Sequence, residues 1–232
     1  DFLQARRWLY DVAGHEGALV SDKLRPLVGP RGRGVYLNAP VRKGEVLLRI
    51  PEDALLRATG DDGLASRGPK ATVRIGSIQI DLKGALELAM RLLAEANEGE
   101  RSGWAEYVRM IPIEFPGFAN NWPPLQRRWL LYSDVPDAFA VLENKLERKA
   151  SAERIHDIVS FRWALCAVLS RAFDHRTLVP FVDSCNHSFD PTCEVKKSVG
   201  GKTVGGTIFE LVARRDVAAS EEVTYDYGNG SP

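Results

Sequence analysis

Hydrophobic periodicity changes twice along this chain, and those two changes constrain its fold more than any other feature. Apolar residues alternate near the start, fall at helical spacing through the middle, and alternate again near the end. Phe2-Leu3-Gln4-Ala5-Arg6-Arg7-Trp8-Leu9 opens with an amphipathic pattern that predicts a short helix. Arg31-Gly32-Arg33-Gly34 then reads as a glycine-flanked turn entering a strand, and Gly44 to Pro51 as a second strand closed by proline. Alternation from Thr72 to Leu82 predicts a hairpin turning at Gly76-Ser77. Leu86, Met90, Leu93 and Ala96 mark a helix face over Leu82 to Ala96, and Trp104, Tyr107, Val108 and Ile111 a second, ending at Pro112. Phe139, Leu142 and Leu146 mark a third over Ala138 to Lys149. The longest helix spans Glu153 to Phe173, with Ile155, Ile158, Val159, Leu165, Leu169 and Ala172 on one face. Strands return after Asp174: Glu194 to Val199 and Thr207 to Val212 flank a Gly200-Gly201 turn, and Val223 to Tyr227 follows. The order predicts an α+β protein in which a helical block, 83–174, interrupts a mostly β domain made of 1–82 and 175–232.

Composition narrows the function. Equal numbers of basic and acidic residues, 31 of each, leave no global field to draw nucleic acid or an anionic membrane, so neither is expected as a partner. The basic clusters Arg6-Arg7, Arg31 with Arg33, Arg127-Arg128 and Lys196-Lys197 are short, and most of them read as solvated faces. No apolar run approaches the ~20 residues of a membrane helix. Three cysteines without regular spacing argue for an intracellular, reducing compartment, with cytoplasm, nucleus and chloroplast not distinguished. The chain opens on Asp1 with no signal-peptide pattern, as expected of a processed or trimmed piece of a longer product.

Two segments near the end carry the chemistry. In Val182-Asp183-Ser184-Cys185-Asn186-His187-Ser188 an apolar run breaks into a turn with an amide and an imidazole side by side. In Glu221-Glu222-Val223-Thr224-Tyr225-Asp226-Tyr227-Gly228 two tyrosines alternate along a strand, so both rings face one side. Amide, imidazole and phenol without an acid pair suit a charged organic cofactor and a proton-bearing amine better than hydrolysis. Asn186-His187-Ser188 also matches a glycosylation sequon, which the cysteine usage and the absence of a secretory signal disfavour. Cys185, His187, Cys193 and His175 match no standard zinc spacing, so no metal is expected. Asp183, Ser184 and His187 are too close in sequence to converge as a triad, and the strand–turn–helix context is missing. His15 and His156 read as surface residues, and Trp104 with Tyr107 as packing. Taken alone, Tyr225 and Tyr227 read as core, Arg171 as a charge at a helix C-terminus, and the glycine pair as a plain turn.

In order, these pieces resemble a SET-domain protein methyltransferase. Arg-Gly-Arg-Gly at 31–34, Lys43-Gly44-Glu45-Val46-Leu47-Leu48 with Ile50-Pro51, and Trp104-x-x-Tyr107 with Ile111-Pro112 come first. Phe161-Arg162-Trp163-Ala164 running to Ser170-Arg171-Ala172-Phe173, Val179-Pro180-Phe181-Val182-Asp183, Asn186-His187-Ser188 and Glu222 to Tyr227 complete the set. The long helical block is similar to that of the subfamily typified by the Rubisco large-subunit lysine methyltransferase. The resemblance implies small β-sheets with a pseudoknotted C-terminal strand, an exception to the usual avoidance of threading. It implies S-adenosylmethionine as cofactor, contacted by the backbone of Gly32-Arg33-Gly34, by Arg171, and by Asn186 and His187. It implies Asp183 and Tyr225 on the substrate side and Tyr227 as the catalytic residue, in a monomer acting on a protein that presents a lysine.

The implied chemistry has plausible magnitudes. Holding a lysine of pKa ~10.4 neutral at pH 7 costs about 4–5 kcal/mol. A sulfonium at roughly 6 Å in an effective dielectric near 20 raises the ammonium by about 3 kcal/mol, and desolvation in an aromatic channel adds to this. Tyr227 then orients the amine rather than acting as a strong base. Protein-histidine methylation and a catalytically weak module that holds a protein tail are the alternatives. Members of the subfamily continue past the Tyr-Asp-Tyr segment into a second Tyr-Gly-Phe element and a helical substrate-binding domain, which the present sequence does not include.

Overall fold

The computed structural model describes residues 2–13, 17–58, 72–75, 78–118, 121–128, 144, 147–148, 151–152, 157–199 and 206–228. They form two compact units, one of residues 1–55 with 179–232 and the other of residues 56–178. These limits differ from the breaks at 82 and 174 suggested by the change of period, because the hairpin before the first long helix belongs with the helices.

In the first unit, helix α1 (Phe2–Ala13) buries Ala5 and Leu9 fully. The Tyr10 hydroxyl accepts from the Val20 N–H at 3.2 Å, and the Phe2 ring packs edge-on to Phe181 at 5.1 Å. Strands β1 (Leu19–Val20), β2 (Leu24–Gly29), β3 (Gly32–Leu37) and β4 (Val46–Ile50) follow. Leu47, Leu48 and Ile50 are buried although they fall on both faces of β4, as in a strand covered on both sides. Later in the chain come β9 (Asn186–His187), β10 (Cys193–Val199), β11 (Thr207–Ala213) and β12 (Glu222–Tyr225). One sheet has the order β1-β4-β11-β10, with Leu211 opposite Leu48 and Cys193 opposite Ala213. The other has the order β2-β3-β12-β9. Pro26 lies in β2, an edge strand, where a missing N–H costs no ladder bond. Strand β12 is antiparallel to β3 and parallel to β9. A buried threonine pair ties it down: the Thr224 N–H donates to the Thr192 hydroxyl at 2.9 Å and the Thr192 N–H to the Thr224 hydroxyl at 3.2 Å.

In the second unit, β5 (Leu56–Arg57) pairs with β8 (Thr177–Leu178), and β6 (Thr72–Ile75) with β7 (Ile78–Asp81). The turn between β6 and β7 lies outside the described residues. Asp81 caps α2 (Leu82–Glu98) through the Gly84 N–H at 3.1 Å and accepts from Arg176 Nε at 2.8 Å. The short helices α3 (Ala105–Met110) and α4 (Pro124–Arg127) follow, and α5 (Ile158–Arg171) packs on α2. Tyr107 is fully buried, and Arg91 lies over the Trp104 ring at 5.2 Å, so both aromatics pack as expected. Parts of the expected faces are buried, Leu86 and Leu93 in α2 and Leu165 in α5, but the most buried stripes are shifted from them. Leu82, Ala85, Leu88, Ala89 and Leu92 form the most buried stripe of α2, and Phe161, Ala164, Leu165 and Val168 that of α5. Val159, expected inward, is 69% exposed, because it lies in the first turn after the Asp157 cap and the packing stripe begins at Phe161. Of the helix expected over Ala138 to Lys149 only residues 144, 147 and 148 are described, and they are helical; the Gly200-Gly201 turn, His15 and His156 lie outside the described residues. Among the described residues no helix is long and apolar enough to cross a membrane.

Candidate functional site

The site is built where β3, β9 and β12 meet. Phe181, a fully buried aromatic with φ of 67°, turns the chain into a 3₁₀ turn (Val182–Ser184). A bulky residue in the left-handed region is uncommon, and here it delivers Asp183, Cys185, Asn186 and His187 in succession. Asp183 is buried at 6% exposure, with its Oδ1 at 3.3 Å from the Ser184 hydroxyl. Parallel pairing then sets Asn186 opposite Thr224 and His187 opposite Tyr225.

Strand β12 ends at Tyr225, so Tyr227 lies just past the ladder, yet the rings remain neighbours with centroids 4.8 Å apart. Tyr225 is buried and Tyr227 is 41% exposed, so the pair spans the passage from core to solvent. The Tyr227 hydroxyl donates to the Cys185 carbonyl at 2.8 Å, and the Tyr227 N–H to His187 Nδ1 at 3.3 Å. The imidazole lies between two rings, 5.3 Å from Tyr227 and 4.6 Å from the exposed Phe189. The closing phenol therefore stands beside the imidazole of the Asn186-His187 pair.

Strand β3 contributes differently from expectation. Gly32 has φ of 89°, with nothing within 4 Å of where a Cβ would stand, so the turn itself requires glycine. Gly34 is glycine for space: a Cβ there would lie 2.5 Å from Glu222 Oε1 and 2.9 Å from Asn186 Nδ2. Glu222 is the hub of this corner. Arg31 donates to its Oε2 through both Nε, at 3.0 Å, and Nη2, and through Nη1 to the His187 carbonyl at 3.3 Å. Asn186 Nδ2 donates to Glu222 Oε1 at 2.6 Å and to the Arg33 carbonyl at 2.9 Å. Burial, with the Glu222 carboxylate bonded alongside, raises the Tyr36 phenol above its ordinary value, so it remains a donor. Burial likewise pushes the Cys185 thiol well up and the Cys193 thiol to about 11. Among the described residues no group of three or more His, Cys, Asp or Glu could hold a metal ion.

Of the residues singled out from the sequence, Gly32, Arg33, Gly34, Asp183, Asn186, His187, Tyr225 and Tyr227 lie in the first unit around this corner. Arg171 belongs to the helical unit, half-buried in the last turn of α5. Sequence reasoning missed Glu222, Tyr36 and the Thr192–Thr224 pair, and treated Arg31 as part of a turn and of a short basic cluster. The alternation that puts Val223, Tyr225 and Tyr227 on one side leaves Glu222 on the other, so no signal in the sequence marked its carboxylate for a buried partner.

Comparison with known proteins agrees with this architecture. The chain is 27% identical over 263 residues to mouse (Mus musculus) SET domain-containing protein 4, and 24% over 262 residues to the human (Homo sapiens) protein of that name. These alignments cover 98% of the chain but 55% of each relative, so the chain spans about half their length. The SET domain of LSMT, solved with lysine and AdoHcy, superposes with a TM-score of 0.70 at 20% identity, covering 97% of this chain and 53% of that one. Rubisco LSMT with AdoMet gives a TM-score of 0.69 at 20% identity, covering 97% and 52%. Residues 32–228 match the SET domain family, from the glycine turn to the end of the tyrosine segment, and the chain belongs to that family.

Proposed function

We propose that this chain transfers a methyl group from S-adenosylmethionine to the side-chain amine of a lysine on a non-histone protein. The observation that carries the reading is the Tyr227 phenol held on the Cys185 carbonyl, beside Asn186 and His187. Membership of the SET domain family supports it, as does the shared fold of LSMT, which has been solved with AdoMet and with lysine and AdoHcy.

The residues present fit such a cofactor. Arg31 neutralises Glu222, so that carboxylate does not repel an amino-acid carboxylate. The space beside Gly32 is open, which leaves the backbone of Gly32-Arg33-Gly34 approachable. Asn186 and His187 would hold the amino-acid and nucleoside parts. Asp183 and Tyr225 would face the incoming side chain. When bound, the cofactor supplies an electrophilic methyl group on a positively charged sulfur.

The remaining steps fall to the protein. The Tyr227 hydroxyl proton is committed to a backbone carbonyl, so its oxygen presents lone pairs and orients the amine as an acceptor. The Tyr225 and Tyr227 rings exclude water from the target amine, which favours its neutral form, and the released proton goes to solvent. Holding the amine in line with the methyl group is a proximity effect. Mass spectrometry of candidate protein substrates incubated with isotopically labelled cofactor tests this. Label on lysine is the expected result. Label on imidazole, or cofactor uptake without turnover, would overturn the lysine assignment.

A further inference from the structure

We propose that Glu222 is a positioning residue that locks the Asn186 amide with its oxygen left to accept, so that the site selects the α-ammonium of the cofactor's amino-acid tail. This rests on the S-adenosylmethionine reading above. A primary amide has two donors on nitrogen and an acceptor oxygen, and its two ends are distinguished by their partners. Here Asn186 faces two pure acceptors, the Arg33 carbonyl at 2.9 Å and Glu222 Oε1 at 2.6 Å. Only the NH₂ end can meet both, and both of its protons are then spent. No donor from the described residues reaches Asn186 Oδ1, so that oxygen remains to accept from a bound cation.

Glu222 is held in turn. Its side chain is 10% exposed, and Arg31 Nε and Nη2 both converge on Oε2, which leaves Oε1 for the amide. The ion pair also leaves no uncompensated charge on the carboxylate, so its influence passes through the orientation of Asn186. Gly34 closes over the cluster because a Cβ would collide with both Glu222 Oε1 and Asn186 Nδ2.

Glu222→Gln is nearly isosteric but offers one acceptor where two are needed. Arg31, being charged, takes the new amide's oxygen, and its NH₂ end then meets the Asn186 nitrogen. That clash favours a turned Asn186 whose donors oppose an ammonium. The test is calorimetric titration of wild type and Glu222→Gln with two ligands: S-adenosylhomocysteine, and 5′-S-(3-carboxypropyl)-5′-thioadenosine, which lacks only the ammonium. Wild type should prefer the amine-bearing ligand. The variant should lose about tenfold to a hundredfold for that ligand, the range for a hydrogen bond to a charged group, and within about twofold for the other. Equal weakening of both ligands would reduce Glu222 to a structural role and overturn the proposal while leaving the cofactor reading intact. If wild type binds neither ligand, the cofactor reading falls and takes this inference with it. Should the variant misfold, wild type alone decides: Asn186 side-chain amide protons exchanging at solvent rates in ¹H–¹⁵N spectra would refute the lock.

Discussion

Tyr227 illustrates how much a single hydrogen bond decides. Its hydroxyl donates to the Cys185 carbonyl, which fixes the direction of its lone pairs without any help from titration. Tyr227→Phe removes that oxygen and keeps the ring that touches His187 and Tyr225. Turnover is expected to fall by about 10²-fold or more, comparable to losing one preorganised polar group at a reacting centre. Affinity for S-adenosylhomocysteine should stay within about twofold; single-turnover kinetics beside calorimetry separate the two effects, and unchanged turnover would remove Tyr227 from its role. The cysteines make a second case. All three are buried and free, and burial holds the Cys185 and Cys193 thiols protonated. Because the thiolate is the reactive form, a maleimide at pH 8 should leave the native protein unlabelled and add three groups after denaturation. Rapid labelling of the native chain would contradict that burial.

Elements obey a different logic, because a strand or helix presents a whole face. Strand β3 carries two glycines with separate reasons, and substitution separates them. Gly32→Ala meets no protein atom and should cost only backbone strain in the fold, about 1–2 kcal/mol. Gly34→Ala drives a methyl group into Glu222 and Asn186, which costs about 1–3 kcal/mol as overpacking and should weaken S-adenosylhomocysteine at least tenfold. Chemical denaturation with titration of both variants checks this, and a Gly34→Ala chain that binds S-adenosylhomocysteine like wild type would refute the collision. The helices show where sequence reading stops. Period alone announced α2 and α5 and found the buried Leu86, Leu93 and Leu165, but it also selected Met90 and Ala96, or Val159, where packing chose Ala85, Leu88 and Ala89, or Phe161 and Val168. Two helices apolar on several sides offer several stripes of similar hydrophobicity, and only the partner surface breaks the tie.

At the scale of the whole molecule, stability should depend on pH through His175. This half-buried residue sits with Asp174 in a turn where both have positive φ, 57° and 51°. Burial lowers its pKa, against the opposing pull of Asp81 and Asp174. A depressed folded value means that the unfolded chain binds the proton more readily, so stability rises with pH. The contribution is fully present above the ordinary histidine value, ~6.5, and is lost as pH falls below it through the folded value. His175→Asn keeps a side chain that tolerates left-handed backbone and removes the titration. Thermal unfolding between pH 7.5 and pH 5 should therefore show a smaller acid loss in the variant; parallel curves would refute the assignment.

What the sequence determined by itself was local and periodic: the β–helix–β order, the turn at Gly32, and the amide, imidazole and phenol brought near the chain's end. Spacing conveys such features because they depend on neighbours within a few residues. Tertiary structure alone decided that Glu222, Arg31 and Asn186 share one hydrogen-bond network, that Gly34 makes room for it, and that Thr192 reaches Thr224. Arg31 and Glu222 are 191 positions apart in the chain, and their ion pair exists only because β12 lies between β3 and β9. Buried polar groups must find partners somewhere, but which partner is settled by strand order and register, and those belong to the folded chain.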